Sequence, residues 1–274
     1  MNICLAVAPP GAGPESFVVF RDKLEVSCEK ARGLGYDGIE LALALPSEID
    51  VRWMRQLLSS TGMKLAAVST GRVFSEQRAW LTHPRRTVRR RAIELMFGMI
   101  DLAAELNTRR VNVGRIRGGI AVGEAPDVAE ARFFDAMLEC ADHAGPVGVG
   151  VMLEPVNRYE INYVNSVLPD GIDVVRRLGR PNIQLMPDLF HMNIEDASIA
   201  DSLIAAGPMV GYVHFADSNR RAPGQGHTDF VSASRALSAI GYDDDVTVEI
   251  LPYPSAEEAA KWALDFLRSG VLST

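Results

Sequence analysis

The chain is poor in cysteine, and the three it has, Cys4, Cys28 and Cys140, stand far apart in no metal-binding spacing. An odd, scattered set builds no disulfide framework, so a reducing, cytoplasmic location is expected. No apolar run is long enough to cross a bilayer, and no membrane partner is expected. The opening MNICLAVAPPGAGPE lacks a basic leader and is soon interrupted by Glu15, so it reads as a first strand and loop rather than a signal peptide. Positive charge is in deficit too: 28 Lys and Arg against 35 Asp and Glu leave a net charge of −7. That is the wrong sign for neutralising a phosphate backbone, and no nucleic-acid partner is expected. The first glycine-rich turn, Pro9-Pro10-Gly11-Ala12-Gly13, lacks the dinucleotide-binding pattern.

What the chain does have is alternation. Short apolar or β-branched runs predict eight strands, at Asn2–Val7, Gly38–Ala42, Lys64–Ser69, Arg109–Val113, Val147–Glu154, Ile183–Pro187, Val210–Phe215 and Asp245–Leu251. Several are nearly continuous apolar runs, as in parallel strands covered on both faces. Between them lie helical patterns. Ala92, Leu95, Met96, Met99 and Leu102 recur at three- and four-residue steps and predict one apolar face. Ser255 and Glu258 have capping-box spacing ahead of Ala259, Trp262, Ala263 and Phe266. Eight such units without a break in composition predict an α/β fold of one domain, a single (β/α)8 TIM barrel over residues 1–274. An open doubly wound sheet is the alternative, but it would want the phosphate loop that is missing after the first strand.

Four metal-capable side chains fall at or just past the C-terminal ends of consecutive predicted strands: Glu154, Asp188, His214 and Glu249. They are 34, 26 and 35 residues apart, each about one βα unit. In a barrel such positions converge on the face where catalytic groups gather. One imidazole with three carboxylates suits a hard divalent ion, with Mn2+ first and Mg2+, Co2+ or Zn2+ behind it. A lone Glu or His at a strand end is usually a loop residue or a satisfied polar group; four in register are harder to explain that way.

The residues around these positions carry a resemblance. Glu154-Pro155-Val156-Asn157-Arg158-Tyr159-Glu160, Asp188-Leu189-Phe190-His191-Met192-Asn193-Ile194-Glu195 and His214-Phe215-Ala216-Asp217-Ser218-Asn219-Arg220 resemble the ketose 3-epimerases, members of the xylose-isomerase-like barrels. Ala222-Pro223-Gly224-Gln225-Gly226-His227-Thr228-Asp229-Phe230 and Val248-Glu249 continue the match. The first half resembles the wider superfamily through Gly35-Tyr36-Asp37-Gly38-Ile39-Glu40-Leu41. Its Ser69-Thr70-Gly71, Leu81-Thr82-His83-Pro84 and Gly114-Arg115-Ile116-Arg117-Gly118 segments look closer to a keto-uronate branch, the 5-keto-gluconate or tagaturonate type.

The resemblance implies an isomerase that inverts C3 of a ketose or keto-uronate. The implied route is chelation of two neighbouring substrate oxygens, a stabilised enediolate, and two glutamates, Glu154 and Glu249, that remove and return the proton. It also implies substrate contacts from His191, Glu160 and Arg220. Each has a plainer reading: His191 as a loop hydrogen bond, Glu160 paired with Arg158, Arg220 as a solvated charge. Arg115 and Arg117, among glycines after the fourth strand, read equally as ordinary loop arginines or as a grip on a distal carboxylate or phosphate. Glu40 is read as a structural hydrogen bond, and His227 and Asp229 as braces and caps of the following loop and helix. Trp80 sits in a loop placed to line a pocket. The arginines at 85, 86, 89, 90 and 91 read as a solvated face or a subunit contact, and a homo-oligomer stays open.

Competing functions on the same scaffold are an aldose–ketose or hydroxypyruvate-type isomerase and an inosose-type dehydratase. Abasic-site endonucleases share this barrel, but their multi-zinc site needs more histidines than the five present. A non-catalytic sugar-binding protein is the alternative of another class.

Overall fold

The computed structural model describes residues 1–272, so the last two residues of the expected domain lie outside it. Strands and helices alternate along the chain: β1 (Asn2–Val7), α1 (Leu24–Leu34), β2 (Gly38–Ala42), α2 (Val51–Thr61), β3 (Lys64–Ser69), α3 (Gly71–Gln77), α4 (Arg86–Glu105), β4 (Arg110–Val113), α5 (Pro126–Ala144), β5 (Gly150–Leu153), α6 (Ile172–Leu178), β6 (Ile183–Leu185), α7 (Leu189–Glu195), α8 (Ile199–Ala206), β7 (Val213–Phe215), α9 (Phe230–Ala239), β8 (Asp245–Val248) and α10 (Ala256–Phe266). The strands form one sheet in the order β6-β5-β4-β3-β2-β1-β8-β7, every pairing parallel. Parallel bridges Leu185↔Val210 and Asp188↔His214 join the two ends of that order and curl the sheet into a single (β/α)8 barrel. The expected fold is therefore the observed one. No helix among the described residues is long and apolar enough to cross a membrane.

The strands alternate in chemistry as well as direction. Leu5, Ile39, Leu41, Val111, Val113, Val151, Leu153, Val213, Val246 and Val248 belong to the large core shared with the helices. The residues between them turn inward. Cys4, Ala66, Ala67, Met152, Met186 and Tyr212 form a separate cluster inside the barrel. Lys64 and Arg110 both reach Asp245 in ion pairs that bind β3 and β4 to β8 from within. The period-two geometry of a strand carries this inward row on to Glu154, Asp188, His214 and Glu249, each two residues beyond Met152, Met186, Tyr212 and Thr247.

The helices follow their patterns with one exception. Ala92, Leu95, Met96, Met99 and Leu102 are all buried on α4. Ser255 caps α10, accepting from Glu258 N at 3.2 Å while its hydroxyl donates to Glu258 Oε2 at 2.7 Å. Trp262, however, stands 37% exposed, because the buried face of α10 runs through Ala259, Ala260, Ala263 and Leu264. Six predicted strand boundaries also move inward: both ends of β5, the starts of β4 and β7, and the ends of β6 and β8. A turn at Gly145–Val147 and a left-handed Gly148 (φ 70°) occupy the expected start of β5, and β6 and β8 end before Pro187 and Glu249. Glu154 and Glu249 thus sit on the first residues past their strands and Asp188 three residues past β6, while His214 lies within β7.

Candidate active site

Each candidate ligand is positioned by a short local device. Asp188 caps α7: one carboxylate oxygen accepts from Phe190 N at 2.8 Å, and the other, Oδ2, faces the barrel axis. Glu154 is held by Asn112, whose Nδ2 donates to Glu154 Oε2 at 3.1 Å. The Asn112 Oδ1 in turn accepts from Thr70 N at 3.0 Å, so the end of β3 braces β4, and β4 braces the glutamate. Gly114 stands against the same carboxylate; a Cβ there would lie 2.1 Å from Glu154 Oε2.

These devices bring four ligand atoms, one each from Glu154, Asp188, His214 and Glu249, within 4.8 Å of one another, all on buried residues. The His214 Nδ1 lies 3.5 Å from Glu249 Oε2, 3.8 Å from Glu154 Oε1 and 4.0 Å from Asp188 Oδ2, yet has no hydrogen-bond partner. Its other nitrogen is committed: Nε2 meets Glu40 Oε2 at 2.8 Å, and Tyr212 donates to the same oxygen at 2.7 Å. A histidine oriented from behind by a carboxylate presents its remaining nitrogen as a ligand. Three buried carboxylates around an unpartnered imidazole nitrogen match the donor set of a hard divalent cation, and the residues fit such an ion.

The electrostatics divide the two glutamates. Burial, reinforced by Glu249 and Asp188, pushes the Glu154 carboxyl up to about 8 despite the pull of His214. Burial acts on Glu249 as well, but the Arg220 guanidinium and His214 outweigh it and bring that carboxyl down to about 2. Burial also opposes the charged form of His214, yet the carboxylates of Glu40 and Glu249 hold its imidazolium well above the ordinary range. In the metal-free cluster a proton takes the place that a cation would fill.

Arg220, His191 and Glu160 all line the cavity above this cluster. Arg220 takes a left-handed backbone conformation (φ 60°). Its guanidinium lies between the Phe17 and Phe190 rings, 4.7 Å from each centroid. From there it donates to Asp188 Oδ2 at 2.9 Å and to Glu249 Oε2, so it is no solvated charge. His191 is buried beside Glu154 and Asp188, its Nε2 at 3.8 and 3.7 Å from their carboxylates. Burial first, then Arg220 and Arg117, hold its pKa well below the ordinary value, so the ring is neutral. Asn157 Nδ2 donates to Nδ1 at 2.8 Å, and Nε2 faces the site, 3.4 Å from Arg220 Nη1. Glu160 accepts from Asn157 Nδ2 at 3.2 Å, while Arg158 pairs with Glu195 instead.

Arg117 requires a correction. It does not reach the cavity: the side chain is fully buried behind β4 and β5. Its Nε donates to Tyr163 O at 2.9 Å, Nη2 to Val164 O at 2.6 Å, and Nη1 to Gly114 O at 3.3 Å and to Glu154 O. The guanidinium spends four of its five N–H donors on backbone carbonyls of two loops and lies away from the cavity. Arg115, its neighbour, does line the cavity, 5.8 Å from the Phe17 ring. Glu40 is a structural partner as expected. His227 braces the loop through Ser218 Oγ at 3.0 Å, and Asp229 caps α9 through Ser232 N at 3.0 Å.

The positioning residues that sequence reasoning missed are Asn112 and Tyr212. Both occupy inward registers of their strands, a signal available from the period-two pattern alone. A larger cavity, about 670 Å3, lies at the other end of the barrel against Arg110, Gly150, Gln184 and Gly211. No group of metal-capable side chains meets there among the described residues, so size alone does not mark the functional end.

Comparison with known proteins gives the same picture. A family model described as a xylose isomerase-like TIM barrel matches residues 28–270. The chain is 36% identical over 219 residues to an L-ribulose 3-epimerase of Methylomonas sp., covering 78% of this chain and 74% of that protein. It is 31% identical to an L-ribulose 3-epimerase of Mesorhizobium japonicum, covering 84% and 76%. Among solved structures, a D-allulose 3-epimerase from Methylomonas sp. superposes with a TM-score of 0.82 at 28% identity, covering 98% of this chain and 97% of that one. A structure of L-ribulose 3-epimerase gives 0.85 at 27% identity, with 99% and 95% covered.

Proposed function

The chain belongs to the xylose isomerase-like TIM barrel family and is an enzyme of the isomerase class, and we propose that it inverts the C3 centre of a ketose, with Glu154 and Glu249 as the proton-transfer pair. The observation that carries the reading is the buried cluster itself: three carboxylates and the unpartnered His214 Nδ1 around one point. Glu154, Asp188, His214 and Glu249 would hold one divalent ion, Mn2+ by preference, and that ion supplies Lewis-acid stabilisation of the negative charge that develops on the substrate oxygens as the C3 proton leaves.

The chain's own residues supply the rest. Inversion needs a base on one face of the carbon and an acid on the other. Glu154 and Glu249 follow β5 and β8, three strands apart around the barrel, and approach a central substrate from different sides. Their environments push their proton affinities in opposite directions, Glu154 up and Glu249 down. Those directions belong to the cluster before an ion binds; removal and return of a proton demand one ionised and one protonated member once substrate is in place. His191 Nε2 faces the site and is placed to hydrogen-bond a substrate oxygen. Arg220 fixes both Asp188 and Glu249, opposing the burial that raises Asp188 and outweighing it at Glu249. Glu160, on the cavity wall, is free on one oxygen to accept a hydroxyl. The relatives' names support this chemistry, since those proteins are 3-epimerases of L-ribulose and D-allulose.

The test is deuterium uptake at C3, followed by NMR on Mn2+-loaded protein with a panel of ketoses and keto-uronates. Inversion with the ketone left in place is expected; migration of the ketone to C1 would make the protein an aldose–ketose isomerase. Glu154→Gln and Glu249→Gln are each expected to lose at least about 1,000-fold in exchange while folding normally. Near-normal exchange in either variant removes that glutamate from the mechanism.

A further inference from the structure

Beside the catalytic cavity lies a second one of about 310 Å3, and Glu160 lines both. Its volume is at the lower end of the ~300–1,000 Å3 of small-molecule pockets. Phe74, Trp80, Ile120 and Ile161 give it an apolar wall, and Glu160, Asn162 and Arg158, the last paired with Glu195, a polar rim. Trp80 is only half-buried, packed against Phe74 (centroids 5.4 Å) and His83 (4.4 Å). Among the described residues, its indole N–H finds no acceptor.

The walls are rigid before any ligand arrives. Gly118 adopts φ +72° and lies so close to the indole that a Cβ would sit 2.2 Å from Trp80 Cδ1. The Asn162 side chain is fixed by a pair of bonds to Ile120, accepting from its N at 2.8 Å and donating to its O at 3.0 Å. An aromatic wall ringed by carboxylate, amide and a guanidinium already neutralised by Glu195 is chemically two-sided. A hydrocarbon chain would leave the rim unused, and a charged group would leave the indole unused. A pyranose ring uses both, its C–H face on the aromatic wall and its hydroxyls on the rim.

We infer that the substrate is a ketose bearing a second sugar residue, and that this glycosyl ring occupies the cavity past Glu160. The inference rests on the epimerase reading and names its substrate class: a keto-disaccharide or similar glycoside rather than a free monosaccharide.

The test compares D-fructose with three glucosyl-fructoses, carrying glucose on O1, O4 or O6, on the whole Mn2+-loaded protein by C3 deuterium uptake. At least one glucosyl-fructose is expected to exceed fructose in kcat/KM by about tenfold or more. Trp80→Ala and, independently, Phe74→Ala are expected to remove that advantage while leaving fructose within about twofold. Calorimetric titration of the preferred glucosyl-fructose into metal-free protein gives a readout separate from turnover, and it should bind about tenfold tighter than fructose. Fructose outrunning all three in the wild type, or an unchanged ratio in both variants, overturns the inference and leaves the epimerase reading intact. No C3 exchange from any of the four sugars overturns the inference, and exchange on the wider panel of ketoses and keto-uronates then decides the epimerase reading separately.

Discussion

Binding of a divalent ion to this chain should expel protons in a number set by the cluster. At pH 7 Glu154, with its carboxyl pushed up to about 8 by burial and its acidic neighbours, is mostly protonated. His214, raised by the Glu40 and Glu249 carboxylates against the effect of burial, is protonated too. Asp188 and Glu249 both face Arg220, and Glu249 is held down to about 2. A cation needs Glu154 as carboxylate and Nδ1 of His214 bare, so both protons must leave. Between about pH 6 and pH 7.5 the apparent affinity should therefore rise about 100-fold per pH unit, close to 2.7 kcal/mol. Mn2+ titrations by calorimetry in buffers of differing ionisation enthalpy count the protons directly, and about two per ion are expected. Glu154→Gln cannot contribute its proton and should release about one. Release of fewer than half a proton by the wild type, or an affinity flat across this pH range, would refute the reasoning, because the ion would then be bound by groups already ionised.

Other consequences follow from named contacts. Glu40→Gln should weaken Mn2+ binding by about 10- to 100-fold, measured by competition with a chelator, because it removes the charge that orients His214 from behind; unchanged affinity would deny that role. Arg117→Met removes four hydrogen bonds to backbone carbonyls, among them the one to buried Glu154 O, and should cost about 3 kcal/mol, a fall of about 6–12 °C in Tm. Its activity losses should be equal on neutral and acidic ketoses, and a selective loss on keto-uronates would reopen a substrate contact. Glu249, lowered in the folded state from 4.5 to about 2, contributes stability that is present above about pH 4.5 and lost as pH falls toward 2. Glu249→Gln should flatten that acid limb in urea-unfolding curves taken from pH 5 to pH 2.5, and a limb as steep as the wild type's would place the titrating group elsewhere.

Much of the barrel was legible in the chain because strand and helix periods differ so plainly. β1, β2 and β3 begin and end where the apolar runs do. β5, β6 and β8 are shorter than their runs, since Glu154, Asp188 and Glu249 lie past the ladder on turning backbone, and apolarity alone does not register where pairing stops. The four-residue cluster was legible from one polar side chain per βα unit. Its reason is the inward register that also holds Met152, Met186, Tyr212 and Thr247. Arg117 was misread for a physical reason: the carbonyls of residues 114, 154, 163 and 164 that surround it are backbone groups, with no signature in residue type. Arg115 and Arg117 look alike in sequence, and only the turn between them sends one to the cavity and the other behind the strands. Arg220 shows the reverse: a neighbouring pair of arginines hides the one whose left-handed backbone folds it over Asp188 and Glu249.

Anomalous diffraction from Mn2+-soaked crystals, collected on either side of the manganese edge, locates the ion without reference to activity. A single strong peak is predicted within coordination distance of Glu154, Asp188, His214 Nδ1 and Glu249 together. A peak anywhere else, or only water among those four side chains at saturating Mn2+, would contradict the shared cation on which the chemistry depends.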